Sequence, residues 1–207
     1  MTENNLLRWA QQIQALAQSG MAYTSNVFDN QRYNEFKQIA AEMMSAATGA
    51  ELDEVKAVFD VQSGYATPKI DVRGVVFKGK KILLVRELMD GGRWTLPGGW
   101  VDINEPLSKA VEREVREEAG MIVKARKLAA VFDRNQHGHP PYPYHTYKLF
   151  VICDLIAEAT PDPEETADPT FFTADALPEL SRARVTEEEL TRLFAHLDDP
   201  DLPTEFD

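Results

Sequence analysis

The sequence predicts an α/β protein with a small all-helical N-terminal module: helices over residues 1–62, a linker over 63–69 and an α/β domain over 70–207. Three observations predict this. Apolar residues recur at helical spacing through the first segment. The composition then shifts to Gly, Thr and Pro between Ser63 and Lys69, a boundary signal. Beyond it, β-rich apolar runs surround one strongly patterned helix that starts near Pro106 and stops at Gly120.

In the first module, Leu6, Trp9, Ala10, Ile13, Leu16 and Ala17 share one helical face, and Gly20 is expected to end that helix. Asp29 is the expected N-cap of a second helix carrying Tyr33, Phe36, Ala40, Met43 and Met44, with Phe28 and Tyr33 as its hydrophobic staple. Gly49 is expected to stop it, and a shorter segment with Val55, Val58 and Phe59 follows.

In the second domain, Ile70–Phe77 and Ile82–Glu87 read as strands joined through Lys78-Gly79-Lys80. Asp90-Gly91-Gly92 is a loop, and Trp94-Thr95-Leu96-Pro97 leads into the glycine pair Gly98-Gly99. Ile122–Phe132 and Tyr147–Ile156 are further strands, separated by the Pro/His/Tyr-rich loop DRNQHGHPPYPYHT. A strand through Phe171 and Phe172 follows an acidic loop. Thr186 and Glu189 form a capping box for a last helix to about His196, and the acidic tail from Asp198 reads as loosely ordered.

The helix after Pro106 carries the chemistry. Pro suits a helix start and Gly a helix end. Leu107, Ala110, Val111, Val115 and Ala119 form a broad apolar side, while Ser108, Lys109, Glu112 and Arg116 lie opposite. Glu114, Glu117 and Glu118 overlap the edge of the apolar side and turn toward the protein. Carboxylates gathered beside a core repel one another and call for a counter-charge. Arg113 can bridge Glu117 at i+4 but leaves net negative charge, so a hard divalent cation, Mg²⁺ or Mn²⁺, is the expected neutraliser.

The same stretch has a fixed spacing: Gly99, Glu105, Arg113, Glu114, Val115, Glu117, Glu118, Gly120 and Met121. A chance match at a given start is on the order of 10⁻⁹ at average residue frequencies, so coincidence is excluded. The spacing is the complete Nudix box, and the chain resembles the Nudix hydrolases. RWAQQIQALAQSGMAYTSNVFDNQRYNEF followed by GYATPKIDVRGVVF is similar to the helical N-terminal module of one Nudix subgroup, which includes hydrolases of CDP-choline and ADP-ribose. The resemblance implies a mixed sheet sandwiched between helices and metal-assisted hydrolysis of a diphosphate linkage. It assigns Glu114, Glu117, Glu118 and the Gly99 carbonyl to the metal, and Glu118 or Glu165, with Glu164 competing, to the proton acceptor. Arg113 would orient the carboxylates, and Glu105 would support the loop or an outer-shell water. Arg86 is the candidate phosphate ligand. Tyr142 and Tyr144 are candidates for a base or sugar pocket. His137 and His139, two loop histidines, are weak metal candidates.

Gln136 and His137 stand where members selective for ADP-ribose often carry a proline, which keeps CDP-choline level with ADP-ribose. Two other classes remain: a pyrophosphohydrolase of nucleoside triphosphates or RNA 5′ ends, and a non-enzymatic ligand-sensing regulator. The net charge of −12 weighs against long RNA and anionic membranes, and the box is intact, which weighs against the regulator. Hydrophobic content of 43% with no long apolar run describes a globular chain without a membrane span. The N-terminus shows no signal-peptide core, and the single cysteine, Cys153, reads as a buried thiol; both fit a cytoplasmic protein. The apolar N-terminal helices are expected to support a homodimer.

Overall fold

The computed structural model describes residues 3–160 and 166–207, with the side chains of Glu3 and Asn4 set aside. The chain divides into two compact units, one of residues 1–69 with 141–145 and the other of residues 70–140 with 146–207.

The first unit contains α1 (Glu3–Tyr23), α2 (Val27–Thr48) and α3 (Leu52–Asp60). Leu7, Ala10, Ala40, Ala41, Met44, Ala47, Val55 and Phe59 form its core. The small alanines let α1 and α2 approach closely, and Gly20 extends that logic. It does not end α1: a Cβ there would lie 2.3 Å from the ring of Tyr33, so the glycine marks a crossing of helices. The N-cap of α2 is Asn26, whose side chain accepts from the N–H groups of Phe28 and Asp29. Asp29 therefore lies in the first turn, and Phe28 is exposed rather than a staple. Gly49 caps the C-terminus as expected.

The second unit is built from β1 (Lys69–Lys78), β2 (Lys81–Glu87), β3 (Arg93–Thr95), α4 (Leu107–Ala119), β4 (Met121–Asp133), β5 (Thr146–Glu158), β6 (Thr166–Thr173), α5 (Glu187–Asp198) and β7 (Glu205–Phe206). The strands run in the order β3-β2-β1-β5-β4-β7, with β6 also paired to β2. Most pairs are antiparallel, and β4 with β7 is parallel, so the sheet is mixed.

Alternation along the strands explains why helices cover both faces. Val75, Ile82, Leu84, Phe132, Phe150 and Ile152 point toward Leu190 and Leu193 of α5. Val72, Val76, Leu83, Val85, Val151 and Cys153 point toward Ala110, Val111 and Val115 of α4. The sheet is thus sandwiched between helices.

Three readings of this unit change. Pro106 is the N-cap of α4 rather than its first residue, with φ −61° and ψ 139°. Glu112 is not on the wet side: it accepts from the Ala125 N–H at 3.1 Å and pairs with Lys109 and Lys124, tying α4 to β4. The tail is also ordered. Glu205 and Phe206 pair with β4, and Thr204 Oγ1 donates to the Leu128 carbonyl at 2.7 Å.

The Lys109 hydrogen bond, outweighing burial, holds the Glu112 carboxyl down at about 2, with Ala125 and Lys124 adding to the pull. A depressed carboxylate contributes stability above its unfolded value, and that contribution is lost as pH falls through the folded value. Glu112→Gln should therefore be less stable than the parent at pH 7, and the gap should narrow as pH falls from about 4.5 toward 2. Urea denaturation at several pH values checks this; a pH-independent gap would contradict it.

Candidate active site

The site forms where β1 and α4 grip the segment Leu96–Gly99. Three consecutive residues of β1 hold it. Val72 N–H donates to the Gly99 carbonyl at 2.8 Å, Gly74 N–H to the Pro97 carbonyl at 2.8 Å, and Arg73 Nη1 to the Leu96 carbonyl at 3.1 Å. The backbone comes so close that a Cβ on Gly98 would sit 2.0 Å from the Val72 carbonyl oxygen, and Gly98 has φ +144°. Only glycine fits there.

From the other side, α4 presents its carboxylates to this turn. Glu118 Oε2 accepts from the Gly98 N–H at 2.9 Å. The Glu114 carboxylate lies against Gly99, 3.1 Å from where a Cβ would be. Arg113 acts as a hub: Nε and Nη2 donate to the two oxygens of Glu105 at 3.0 and 2.8 Å, and Nη1 donates to Glu114 at 2.8 Å and Glu117 at 3.1 Å. Glu105 is thus a direct partner of Arg113. Gly120 closes α4 in a left-handed conformation, as expected.

The carboxylates are not equivalent. Burial pushes Glu118 up to about 7, although Arg73 and the Gly98 N–H pull the other way. Burial also raises Glu114, against Arg113 and Arg73. Glu117 is more open and rests on Arg113. The Arg113 guanidinium is held well above its ordinary value, first by its bond to Glu105. Two largely buried acids with raised proton affinity are short of positive charge, and all their donor atoms are hard oxygens. That chemistry fits a divalent cation such as Mg²⁺ or Mn²⁺. As they stand, no three His, Cys, Asp or Glu side chains among the described residues are gathered closely enough to bind a metal. Arg113 occupies Glu114 and Glu117 in this arrangement. The Gly99 carbonyl already accepts from Val72 but keeps a second lone pair.

Behind the turn lies a buried ion cluster that was not singled out from the sequence. Arg73 Nε and Nη2 grip Asp71 at 3.1 and 2.9 Å, and Lys148, 1% exposed, also donates to Asp71. Burial alone would raise Asp71, but Arg73 and Lys148 bring it below the usual carboxylate range; burial lowers Lys148. The readable signal was an acid and a base two residues apart in an apolar strand, on one face of it.

The other candidates lie elsewhere or in different company. Arg86 is in an ion pair with Asp168. Tyr142 and Tyr144 belong to the helical unit, packed edge to face at 5.5 Å, with Lys69 over the Tyr144 ring. His137 stacks on Phe132 and meets Asp207 at 2.7 Å, and His139 sits between Glu189 and the Arg182 carbonyl. Both histidines therefore have protein partners. Glu164 and Glu165 lie outside the described residues.

A cavity of about 660 Å³ opens in the same unit beside the N-terminus of α5. Asp90, Glu179, Glu187 and Glu188 line it against Arg93 and Arg182, which makes it acid-rich.

Comparison with known proteins agrees with this architecture. Residues 67–194 match the NUDIX domain family, and residues 4–59 match the UDP-X-like, N-terminal oligomerisation domain. The chain belongs to the Nudix family and is a hydrolase of diphosphate bonds, a Nudix pyrophosphatase carrying the helical N-terminal module. It is 41% identical over 201 residues to YjhB of Bacillus subtilis, covering 97% of this chain and 96% of that one; YjhB carries ADP-ribose pyrophosphatase as a provisional name. An ADP-ribose pyrophosphatase of Methanocaldococcus jannaschii is 32% identical, over 56% of this chain and 69% of its own. Among solved structures, a UDP-X diphosphatase superposes with TM-score 0.63 at 30% identity over 100% of both chains. An ADP-ribose pyrophosphatase of Streptococcus suis superposes with TM-score 0.62 at 35% identity, covering 68% of this chain and 100% of that one. No helix among the described residues is long and apolar enough to cross a membrane.

Gly98→Ala should destabilise the protein by about 2–4 kcal/mol and reduce turnover by more than ~100-fold, because the new methyl group must displace β1 or the turn. Thermal unfolding together with an activity assay checks this, and a variant with parental stability would contradict the clamp.

Proposed function

We infer that the protein is a divalent-metal-dependent pyrophosphatase that cleaves a nucleoside diphosphate joined to a second group, releasing a nucleoside monophosphate and a phosphorylated product. The observation that carries this reading is the gathering of Glu114 and Glu118 around Gly98–Gly99, with Arg113 ordering Glu105, Glu114 and Glu117 beside them. ADP-ribose and CDP-choline are the leading substrates. The relatives named for ADP-ribose support the first, and the UDP-X diphosphatase neighbour adds UDP-linked compounds to the same class. The cavity beside α5 shares no lining residue with these carboxylates, and its acids Asp90 and Glu179 are already paired with Arg93, so it sets no preference among these substrates. Its size is that of an ordinary small-molecule site.

Mg²⁺ or Mn²⁺, held by Glu114, Glu117 and Glu118 with the Gly99 carbonyl as a further oxygen, would neutralise charge on the diphosphate and acidify a water. Glu118 has the burial and the proton affinity to accept a proton near neutral pH; Glu165 remains the alternative acceptor. Arg113 keeps the carboxylates oriented while Glu105 anchors Arg113. The clamp of β1 on Leu96–Gly99 fixes the position of the Gly98 N–H that holds Glu118.

The helical unit exposes Leu16, Tyr23, Val27, Phe28 and Phe36, an apolar set suited to pairing with a second copy. A homodimer is the expected assembly, and sedimentation giving a monomer at micromolar concentration would contradict it.

Glu117→Gln and Glu118→Gln, assayed with saturating Mg²⁺, should each lose at least ~10²-fold in kcat. Near-parental turnover in both would remove the carboxylate assignment. A screen of ADP-ribose, CDP-choline, UDP-sugars, NADH and nucleoside triphosphates tests the substrate class; preference for triphosphates would overturn it.

The metal has a separate readout. Raised carboxyls lose stability as pH rises through the folded value, about 7 for Glu118, and a bound cation competes with the proton. Mg²⁺ or Mn²⁺ should therefore raise Tm more at pH 8 than at pH 5.5. Equal shifts at both values would count against binding at these carboxylates.

A further inference from the structure

Arg184 sits just before the capping box of α5, with its backbone N–H donating to the Ser181 carbonyl at 2.8 Å. Its Nε donates to Glu87 Oε2 at 2.6 Å. Neither terminal NH₂ group has a hydrogen-bond partner among the described residues, and the side chain is 32% exposed. Glu87, only 3% exposed, is fully used as a strut, since its other oxygen accepts from the Met89 N–H at 3.0 Å.

That strut is linked through β6 to the helix that carries the carboxylates. Glu87 is the cross-strand partner of Thr166, and Thr166 Oγ1 donates to the Glu118 backbone carbonyl at 3.0 Å. Of the other arginines near the turn, Arg113 serves three carboxylates and Arg73 serves Asp71 and the Leu96 carbonyl, while Arg86 meets Asp168 through Nη2 and leaves its buried Nε without a hydrogen-bond partner among the described residues. A diphosphate seated at the carboxylates needs a cation with spare donors, and a guanidinium steadied through Nε presents both NH₂ groups as a fork for phosphate oxygens.

We propose that Arg184 binds a phosphate of the substrate, with Glu87 as the residue that positions it. This rests on the pyrophosphatase reading above.

The test uses Arg184→Gln, Arg184→Lys and Arg184→Ala in the full chain with Mg²⁺. Arg184→Gln should raise KM for the preferred diphosphate substrate at least tenfold, and should weaken binding of α,β-methylene-ADP by calorimetry to a similar degree. Arg184→Lys keeps the charge beside Glu87 but lacks the fork, so it should retain stability and recover only part of the affinity. Millimolar guanidinium chloride should restore part of the Arg184→Ala activity. A purely structural pair would lower Tm and leave KM and analogue binding within twofold of the parent, and that result would overturn the proposal. If Arg184→Gln fails to fold, the Lys variant and the guanidinium rescue decide alone: parental affinity in the first and no rescue in the second overturn it. A parent protein that cleaves none of the linked diphosphates overturns the functional reading instead, and analogue binding still reports on Arg184.

Discussion

The clamp of β1 on the Leu96–Gly99 turn is the constraint on which the site depends. Residues 72, 73 and 74 each hold one carbonyl of that turn, two through backbone and one through the Arg73 guanidinium. Because strand backbone grips strand-like backbone, the spacing is set by hydrogen-bond length and not by side-chain volume. No room is left for a Cβ at Gly98, and the turn's N–H is delivered to Glu118 at a fixed point. The carboxylate of a long, flexible residue is thereby placed by a backbone atom. On the far side, Gly74 lets Val115 of α4 pack directly onto β1, where a Cβ would come 2.2 Å from its methyl group. The same strand thus sets both the turn and the helix that faces it.

Charge is distributed around this clamp in two layers with different mobility. Arg73, Asp71 and Lys148 form a buried layer whose members have few alternatives, since breaking one pair would strand a charge in the core. Arg113 forms an outer layer, part-exposed and shared among Glu105, Glu114 and Glu117. A shared, solvent-touched guanidinium can release one carboxylate while keeping the others. The outer layer is thus free to rearrange, whereas the buried layer holds the framework still.

Much of this was legible in the sequence because it rests on local rules. The apolar stripe of α4, the Gly120 cap, the Thr186/Glu189 capping box and the Lys78–Lys80 turn each depend on a few neighbouring residues. The contacts that were not legible are long-range or depend on competing local signals. Asn26 and Asp29 are both good caps, and only the backbone shows that Asn26 holds the two free N–H groups of α2. Gly20 looked like a stop, yet its meaning comes from Tyr33 on another helix. The acidic tail looked solvated, but its order comes from pairing with β4 and from Lys127 donating to the Pro200 carbonyl at 2.7 Å. The loop after β4 was read as one piece, yet residues 141–145 group with the helices while Asp133–Pro140 stay with the sheet.

The site follows the same division. Box residues identify themselves because they are spaced along one helix, so periodicity places Glu114, Glu117 and Glu118 on one side without any tertiary knowledge. Residues that meet a substrate away from the metal come from different strands and loops, and sequence spacing says nothing about who meets whom. Arg86 and Glu87 are adjacent on β2, so their side chains leave opposite faces of the strand. One pairs with Asp168 and the other with Arg184, 97 positions away. A strand-end arginine is the natural candidate for phosphate, and its neighbour, an acid, holds a second arginine whose terminal NH₂ groups have no hydrogen-bond partner among the described residues. Attack at phosphorus needs a compact set of oxygens on one rigid helix, while recognition needs groups converging from several elements. Only the first requirement leaves a periodic trace in the chain.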